Sequence, residues 1–510
     1  MDAAEARHTG ATVNDLAEKA LQALAVTRRT VADRPAPALA AAGFVAASAV
    51  VVTGGRLGAA PAAVPFTSWF GLQPSANFRI TGAGLGAGML VAIAALVALW
   101  MLALALAARD RLAVRAVWLC AVVWSAPFVI GPPLLSTDLF SSVARGLLAR
   151  DGLSPYHHPP SDLGEARIVD AIDPMRRTLR SIDGPLANLV SHLAVSISGG
   201  RPLPALIVLR VVAVVAVIVI GRCALVLGGS HRASALVMSV LNPMVLLFVV
   251  SAGQYGGLLA AVLLACFVAA RRRHWISAVV LACVAAGIKP IALIAVVAVI
   301  ATHIRARDRR LHTRIIVRDG AIALVALVGC TFAEPYGLGW AWNLSESIHD
   351  TVPFAPASVV ADVVGWMVPP ASYDDLQTGG RISVAAAAAT VICYLFATVR
   401  RRPMEQTVGY ALLWGAILAP VVYPSLLVFG LLCLAPVVVG VRRDWVIALS
   451  CAACVLTPVG FSQLVAEFVT LGALVLIAAC LAPRLIRAYR PTSDVSGDEP
   501  ISEHPVPGSS

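Results

Sequence analysis

Long apolar stretches such as 82–107 and 204–228 recur along this chain, and short clusters of arginine separate many of them. A helix of about 20 apolar residues crosses the hydrocarbon core of a bilayer, where the backbone has no water to bond and must satisfy itself. Candidate spans fall at 37–55, 82–107, 113–133, 204–228, 233–250, 254–270, 275–288, 290–304, 318–333, 383–399, 407–421, 425–441, 445–460 and 463–482. Charged residues make up 13% of the chain, against about 25% in soluble domains. The expected fold class is therefore an all-α polytopic membrane protein of about 13–14 transmembrane helices.

The net charge of +11 reports topology rather than a nucleic-acid partner. Arginines gather in alternate short loops, among them Arg109 to Arg115, Arg271 to Arg273, Arg305 to Arg318 and Arg400 to Arg402, while the intervening loops hold most of the acids. That alternation places the basic loops and both termini in the cytoplasm. The expected organisation is a cytoplasmic segment 1–36 with an amphipathic Thr12–Arg29, a membrane domain 37–482 and a cytoplasmic tail 483–510 rich in Pro, Ser and acids. All ten cysteines lie in apolar runs, so core packing is expected even for the Cys451-x-x-Cys454 pair.

Two outer segments, 134–203 and 334–382, are too long to be simple connectors and are expected to carry the function. The first opens with Asp138 at the mouth of a hydrophobic segment. Phe140, Val143 and Leu147 then recur at helical spacing over Leu139 to Arg150, which reads as an interfacial helix with its apolar stripe towards lipid. Asp138 itself is read either as the cap of that helix or as a catalytic acid. Lys289 is one of only two lysines, the other being Lys19, and it sits inside an apolar stretch next to Pro290. A buried ammonium requires a partner or a function, and either a phosphate oxygen or a carboxylate would serve. Arg210, inside the span that begins near Pro204, invites the same two readings. Tyr156, His157 and His158 form a polar turn suited to an acceptor; adjacent histidines without an i, i+4 partner argue against a metal. Trp340 and Trp342, beside Asn343, offer aromatic faces for sugar rings or an interfacial belt. An acid, a cation and aromatic platforms suit group transfer from a lipid phosphate.

Several stretches in fixed order carry a resemblance. These are Trp69-Phe70-Gly71-Leu72, Ser136-x-Asp138, Arg145-Gly146-Leu147-Leu148, Asp151-Gly152-Leu153 and Pro155-Tyr156, then Asp173-Pro174, Gly184-Pro185-Leu186, Leu241-Asn242-Pro243, the small-residue run ending in Lys289, and Gly337-Leu338-Gly339-Trp340. The chain resembles the actinobacterial polyprenol-phosphate-mannose-dependent α-(1→6)-mannosyltransferases of lipomannan and lipoarabinomannan synthesis, which are membrane glycosyltransferases of the GT-C class. The resemblance implies a GT-C-like bundle with interfacial helices in its outer loops, and a site on the outer face of the cytoplasmic membrane. Asp138 would be the base, the donor polyprenyl-phosphate-mannose, the acceptor a lipid-anchored mannan, and the product an α-(1→6) linkage formed with inversion. It implies no cofactor; a divalent metal is allowed but not required.

The chain departs from the family at polar positions. Phe140-Ser141-Ser142 replaces Tyr-Ser-Tyr, Gln254-Tyr255-Gly256 replaces a His-Asn-acid stretch, Asp183-Gly184-Pro185 replaces Tyr-Gly-Pro, and Tyr423-Pro424 replaces a Trp-Tyr pair. Gln254 and Asp183 are expected at the acceptor side of the site, with Asp183 supplying the missing acid. Two other classes stand beside the transferase: a transporter of lipid-linked sugars and a non-catalytic envelope scaffold.

Overall fold

The computed structural model describes residues 35–56, 82–172, 174–347, 364, 373–397, 402–419 and 424–455. Among these the chain is built of helices without a strand. The N-terminal Thr12–Arg29, the Trp69 stretch, Asp173, the helical patch expected over Ala355 to Met367 (apart from Val364), Tyr423, the span 463–482 and the tail lie outside the described residues.

Apolar sequence and proline punctuation set the helix boundaries. Helix α1 (Pro35–Arg56) packs on α2 (Gly82–Ala108) and α3 (Val114–Ile130). The indole of Trp124 on α3 donates to the Leu39 carbonyl at 3.1 Å, and that of Trp100 on α2 reaches the Val237 carbonyl at 3.0 Å. Buried tryptophans thus satisfy their one donor while filling the core. The chain continues through α4 (Asp138–Arg150), α5 (Pro185–Ile197), α6 (Pro202–Leu227) and α7 (Arg232–Val240). A proline opens both α5 and α6, where its missing N–H costs nothing.

The apolar run 233–250 reads as one span in sequence, but the structure breaks it. Helix α7 and the following π-helical turn Val245–Ser251 are bent by 61° at Asn242-Pro243. Proline cannot continue the helix, and Asn242 holds the break by accepting from the Met244 N–H and donating to Ser450 Oγ at 3.1 Å. Beyond it run α8 (Tyr255–Arg271), α9 (Trp275–Ile288), α10 (Leu293–Arg305), α11 (His312–Thr331), α12 (Gly339–Ser347), α13 (Tyr373–Ala397), α14 (Met404–Ile417), α15 (Leu427–Leu434) and α16 (Val441–Val455). Among the described residues four helices are long and apolar enough to cross a membrane, five if the bent pair is one span, and further apolar helices of 10–17 residues pack among them. The fold is that of an all-α polytopic membrane protein.

The α8–α9 hairpin fixes the polarity of the bundle. Tyr255 starts α8 and Lys289 follows α9 at one end, while Arg271 to Arg273 turn the chain at the other. At that arginine end Arg271 pairs with Glu405 at 2.7 Å, tying the turn to α14, and Arg442 on α16 donates to Gln406 at 2.8 Å.

Candidate active site

Helix α4 is the platform of the opposite end. Leu139, Phe140, Val143 and Ala144 are fully buried against Ile168, Ile172, Val195, Leu206 and Leu209. The expected partner of the apolar stripe is thereby corrected: it meets protein rather than lipid. Segments 151–172 and 176–184, together with α5, fold back over it, and Gly146 makes the approach of α5 possible. A Cβ at that position would collide with the Ser191 carbonyl oxygen on α5, so glycine allows the close crossing that small residues give membrane helices.

The cap reading of Asp138 is corrected as well. Thr137 occupies the N-cap position and Asp138 is the first residue of α4. Its carboxylate is about a quarter exposed and is held by side chains from distant parts of the chain. Arg176, from the single turn Pro174–Arg177, donates to Oδ1. Gln254 Nε2, just before α8, donates to Oδ2 at 2.6 Å and to Ser136 Oγ at 3.2 Å. The backbone N–H of Asp138 is taken by Ser136 Oγ at 3.1 Å.

A second carboxylate lies along the same platform. Arg145 follows Asp138 by seven residues, two turns or about 10 Å further along one face of α4, and it pairs with Asp183 Oδ2. Lys289 Nζ donates to Asp183 Oδ1 at 2.7 Å. Glycine geometry brings these groups together: the Gly184 N–H donates to the Ile288 carbonyl at 2.9 Å, and a Cβ on Gly184 would strike the Gly287 carbonyl oxygen. The loop thus lies directly on the end of α9. Burial opposes ionisation of Asp183, but the Lys289 and Arg145 charges and hydrogen bonds overcome it and hold the carboxyl well below its ordinary range. Lys289 therefore has a carboxylate partner, and its ammonium, with a side chain one quarter exposed, keeps further N–H donors beyond the one used on Asp183.

The surrounding polar groups are braced. Tyr156 is buried, and its hydroxyl donates to the Asp183 carbonyl at 3.1 Å; burial pushes the phenol up, so it stays a neutral donor. Asn343 Nδ2 on α12 donates to the Tyr156 and Ser181 carbonyls, both at 2.9 Å, and Tyr336 Oη donates to the Ala149 carbonyl at 3.1 Å. The Ser191 and Tyr255 hydroxyls meet at 2.5 Å.

The sequence-predicted residues divide into three groups. Asp138 and Gln254 touch each other, Asp183 and Lys289 touch each other, and α4 links the pairs. Tyr156 braces the Asp183 loop. His157 is exposed, and the bond in this turn is instead His158 Nδ1 with Asp162 Oδ2 at 2.8 Å. Trp340 is half-buried, its indole N–H without a partner among the described residues, and Trp342 is 72% exposed. Arg210 sits apart from the two carboxylates: its guanidinium donates to the Val129, Gly131 and Ser251 carbonyls, where α3 and the π-helical turn end. A cation there compensates carbonyls that a helix end leaves free. Sequence reasoning missed the roles of Arg145 and Arg176, although two acids in a low-charge chain are themselves a signal that cations must be near. Among the described residues no group of three or more His, Cys, Asp or Glu forms a metal cluster.

An acid–cation centre at one end of an all-α membrane bundle defines the class: a polytopic membrane protein with a buried, paired carboxylate beside a partly exposed one. Residues 40–305 match the family described as "Alpha-(1->6)-mannopyranosyltransferase, N-terminal domain". The chain belongs to this family, and the match contains both carboxylates and their cations. It is similar to Alpha-(1->6)-mannopyranosyltransferase A of Mycobacterium tuberculosis, 28% identical over 254 residues that cover 47% of this chain and 49% of that protein. It is also similar to the protein of the same name from Corynebacterium glutamicum, 22% identical over 332 residues that cover 59% of this chain and 67% of the other. The chain thus spans about half the length of the mycobacterial relative. No solved structure matches.

Proposed function

We propose that the protein is a membrane mannosyltransferase that moves mannose from polyprenyl-phosphate-mannose to a lipid-anchored mannan, forming α-(1→6) linkages with inversion. The observation that carries this reading is the partly exposed Asp138 carboxylate, clasped by Arg176 and Gln254 about two helical turns from the Arg145–Asp183–Lys289 cluster. The names of the relatives support the mannosyl transfer; the donor rests on chemistry and the side of the membrane on the distribution of charge. The basic clusters gather at the end of the bundle away from Asp138, and the positive-inside bias supports an outer-face site.

In this mechanism the acceptor hydroxyl oxygen attacks the anomeric carbon of the donor. The bond from that carbon to the phosphate oxygen breaks, and its electron pair leaves with polyprenyl phosphate. The hydroxyl proton passes to Asp138, whose two oxygens have lone pairs beyond those accepting from Arg176 and Gln254. Developing charge on the phosphate falls to cations that are fixed before reaction, Lys289 foremost and Arg176 beside the base. Arg210 acts at a distance, holding the ends of α3 and the π-helical turn on which Ser136 and Gln254 are mounted. Trp342, Trp340 and His157 remain the acceptor-side surface. No step needs a cofactor or a nucleotide sugar.

The test uses purified protein in lipid, labelled polyprenyl-phosphate-mannose and a short α-mannoside, with the product linkage assigned by NMR. An α-(1→6)-linked product, with no transfer from GDP-mannose, is expected. Labelled donor crossing vesicles without a glycosidic product would replace this reading with transport.

A further inference from the structure

A second concentration of charge lies at the far end of the α8–α9 hairpin, away from Asp138 and Lys289. A cavity of about 290 Å³ opens there between the start of α9, the end of α10 and the first turns of α11. Arg273, Arg307 and Arg318 line it with His274 and His303, and no carboxylate is among the lining residues. The nearest buried acid is already neutralised. Asp319 is fully buried, accepts from Arg318 at 2.8 and 2.9 Å, and meets His303 Nδ1 at 2.5 Å. His303 is fixed from its other side by the ring of Trp275, stacked at 4.4 Å with 9° between the planes. This part of the wall is rigid, whereas Arg273 and Arg307 are exposed and make no ion pair among the described residues.

The cavity opens onto an apolar surface. Ile276 and Val280, one turn apart on α9, are 54% and 37% exposed, and Val317, Leu324 and Val328 on α11 are exposed as well. Ile276 itself lines the cavity, Val280 follows it one turn along α9, and Val317 is the neighbour of Arg318 on α11, so exposed apolar surface adjoins the cationic mouth. A free anion would use only the arginines, whereas an amphiphile with an anionic head would use both surfaces.

We infer that this cavity binds the phosphate headgroup of an anionic glycerophospholipid, with the acyl chains lying along α9 and α11. The recognition is electrostatic: arginine forks meet phosphodiester oxygens at the depth where headgroups sit. Because α9 runs from Trp275 at this cavity to the residue before Lys289, about 20 Å, occupancy here would steady the helix that carries the phosphate-facing lysine.

The experiment measures lipid retention by native mass spectrometry and thermal unfolding of the full chain in neutral detergent, with phosphatidylglycerol, phosphatidylcholine or inorganic phosphate added. Phosphatidylglycerol is expected to remain bound and raise the unfolding midpoint while phosphatidylcholine does neither, and Arg273→Gln/Arg307→Gln should weaken retention at least tenfold. Arg318 is left intact because it neutralises Asp319. Arg109→Gln/Arg115→Gln removes the same charge elsewhere on this end of the bundle and should retain the lipid as wild type does. Equal retention of the two lipids, or loss of phosphatidylglycerol from the control double variant as well, overturns the inference. An equal midpoint rise with inorganic phosphate alone overturns the lipid assignment in favour of a free-phosphate site.

Discussion

Replacing Asp183 by asparagine keeps the shape of the side chain and removes the one negative charge between two cations. In the native site the Asp183, Arg145 and Lys289 side chains are 10, 15 and 25% exposed, so water screens them little. Breaking a buried ion pair by deleting one partner costs about 3–5 kcal/mol, because the remaining charge stays desolvated. Lys289 is the most exposed of the three and relaxes partly into water, which sets the expectation for Asp183→Asn at the lower end, about 3 kcal/mol. Lys289→Met leaves Asp183 paired with Arg145 and removes one charged hydrogen bond, worth about 1.5–3 kcal/mol. Asp183→Asn should therefore melt first, Lys289→Met second and wild type last when unfolding is followed by tryptophan fluorescence in detergent. The pH dependence has a definite sign. A carboxyl held below its unfolded value of about 3.9 stabilises fully above that pH and loses its contribution as the pH falls further. Wild type should lose stability on acidification below about pH 4 more steeply than Asp183→Asn. If the asparagine variant melts with wild type, or both variants show the same acid dependence as wild type, the cluster is not the stabilising centre described.

Other outcomes follow from single contacts. Gly146→Leu should prevent the α4–α5 crossing and cost about 1–3 kcal/mol by overpacking, read as a lower unfolding midpoint, whereas Gly152→Leu, at a site with open space around it, costs only the strain of its positive φ. Gln254→Leu removes the 2.6 Å donor to Asp138; losing a charged hydrogen bond of about 1.5–3 kcal/mol should lower the unfolding midpoint about as much as Lys289→Met does, and turnover should fall with it as Asp138 loses a group that orients it.

Hydropathy makes much of the bundle legible in the sequence, since a run such as 204–228 has only one stable conformation in lipid. The break at Asn242-Pro243 was written there too, but an apolar run on both sides masks a proline when only hydropathy is followed. Helical spacing correctly grouped Phe140 and Val143 on one face of α4. It could not say what covers that face, because the covering residues, Ile168 and Val195 among them, lie on separate segments. The site shows the same limit. Asp138, Asp183, Gln254 and Lys289 stand out by residue type, but Arg176 and Arg145 each pair with an acid 38 positions away, and in a chain with so many arginines nothing local marks these two. Aromatic residue type singled out Trp340 and Trp342 as candidates without revealing that one is half-buried and the other exposed.

The most direct test of Asp138 as base compares wild type with Asp138→Asn for transfer from polyprenyl-phosphate-mannose, at saturating donor and with binding measured separately. General-base catalysis is worth about 10²- to 10⁴-fold. The account predicts a turnover loss in that range while donor binding changes by no more than a few-fold. Turnover within a few-fold of wild type would contradict it and leave the Arg176–Asp138–Gln254 cluster a structural clasp.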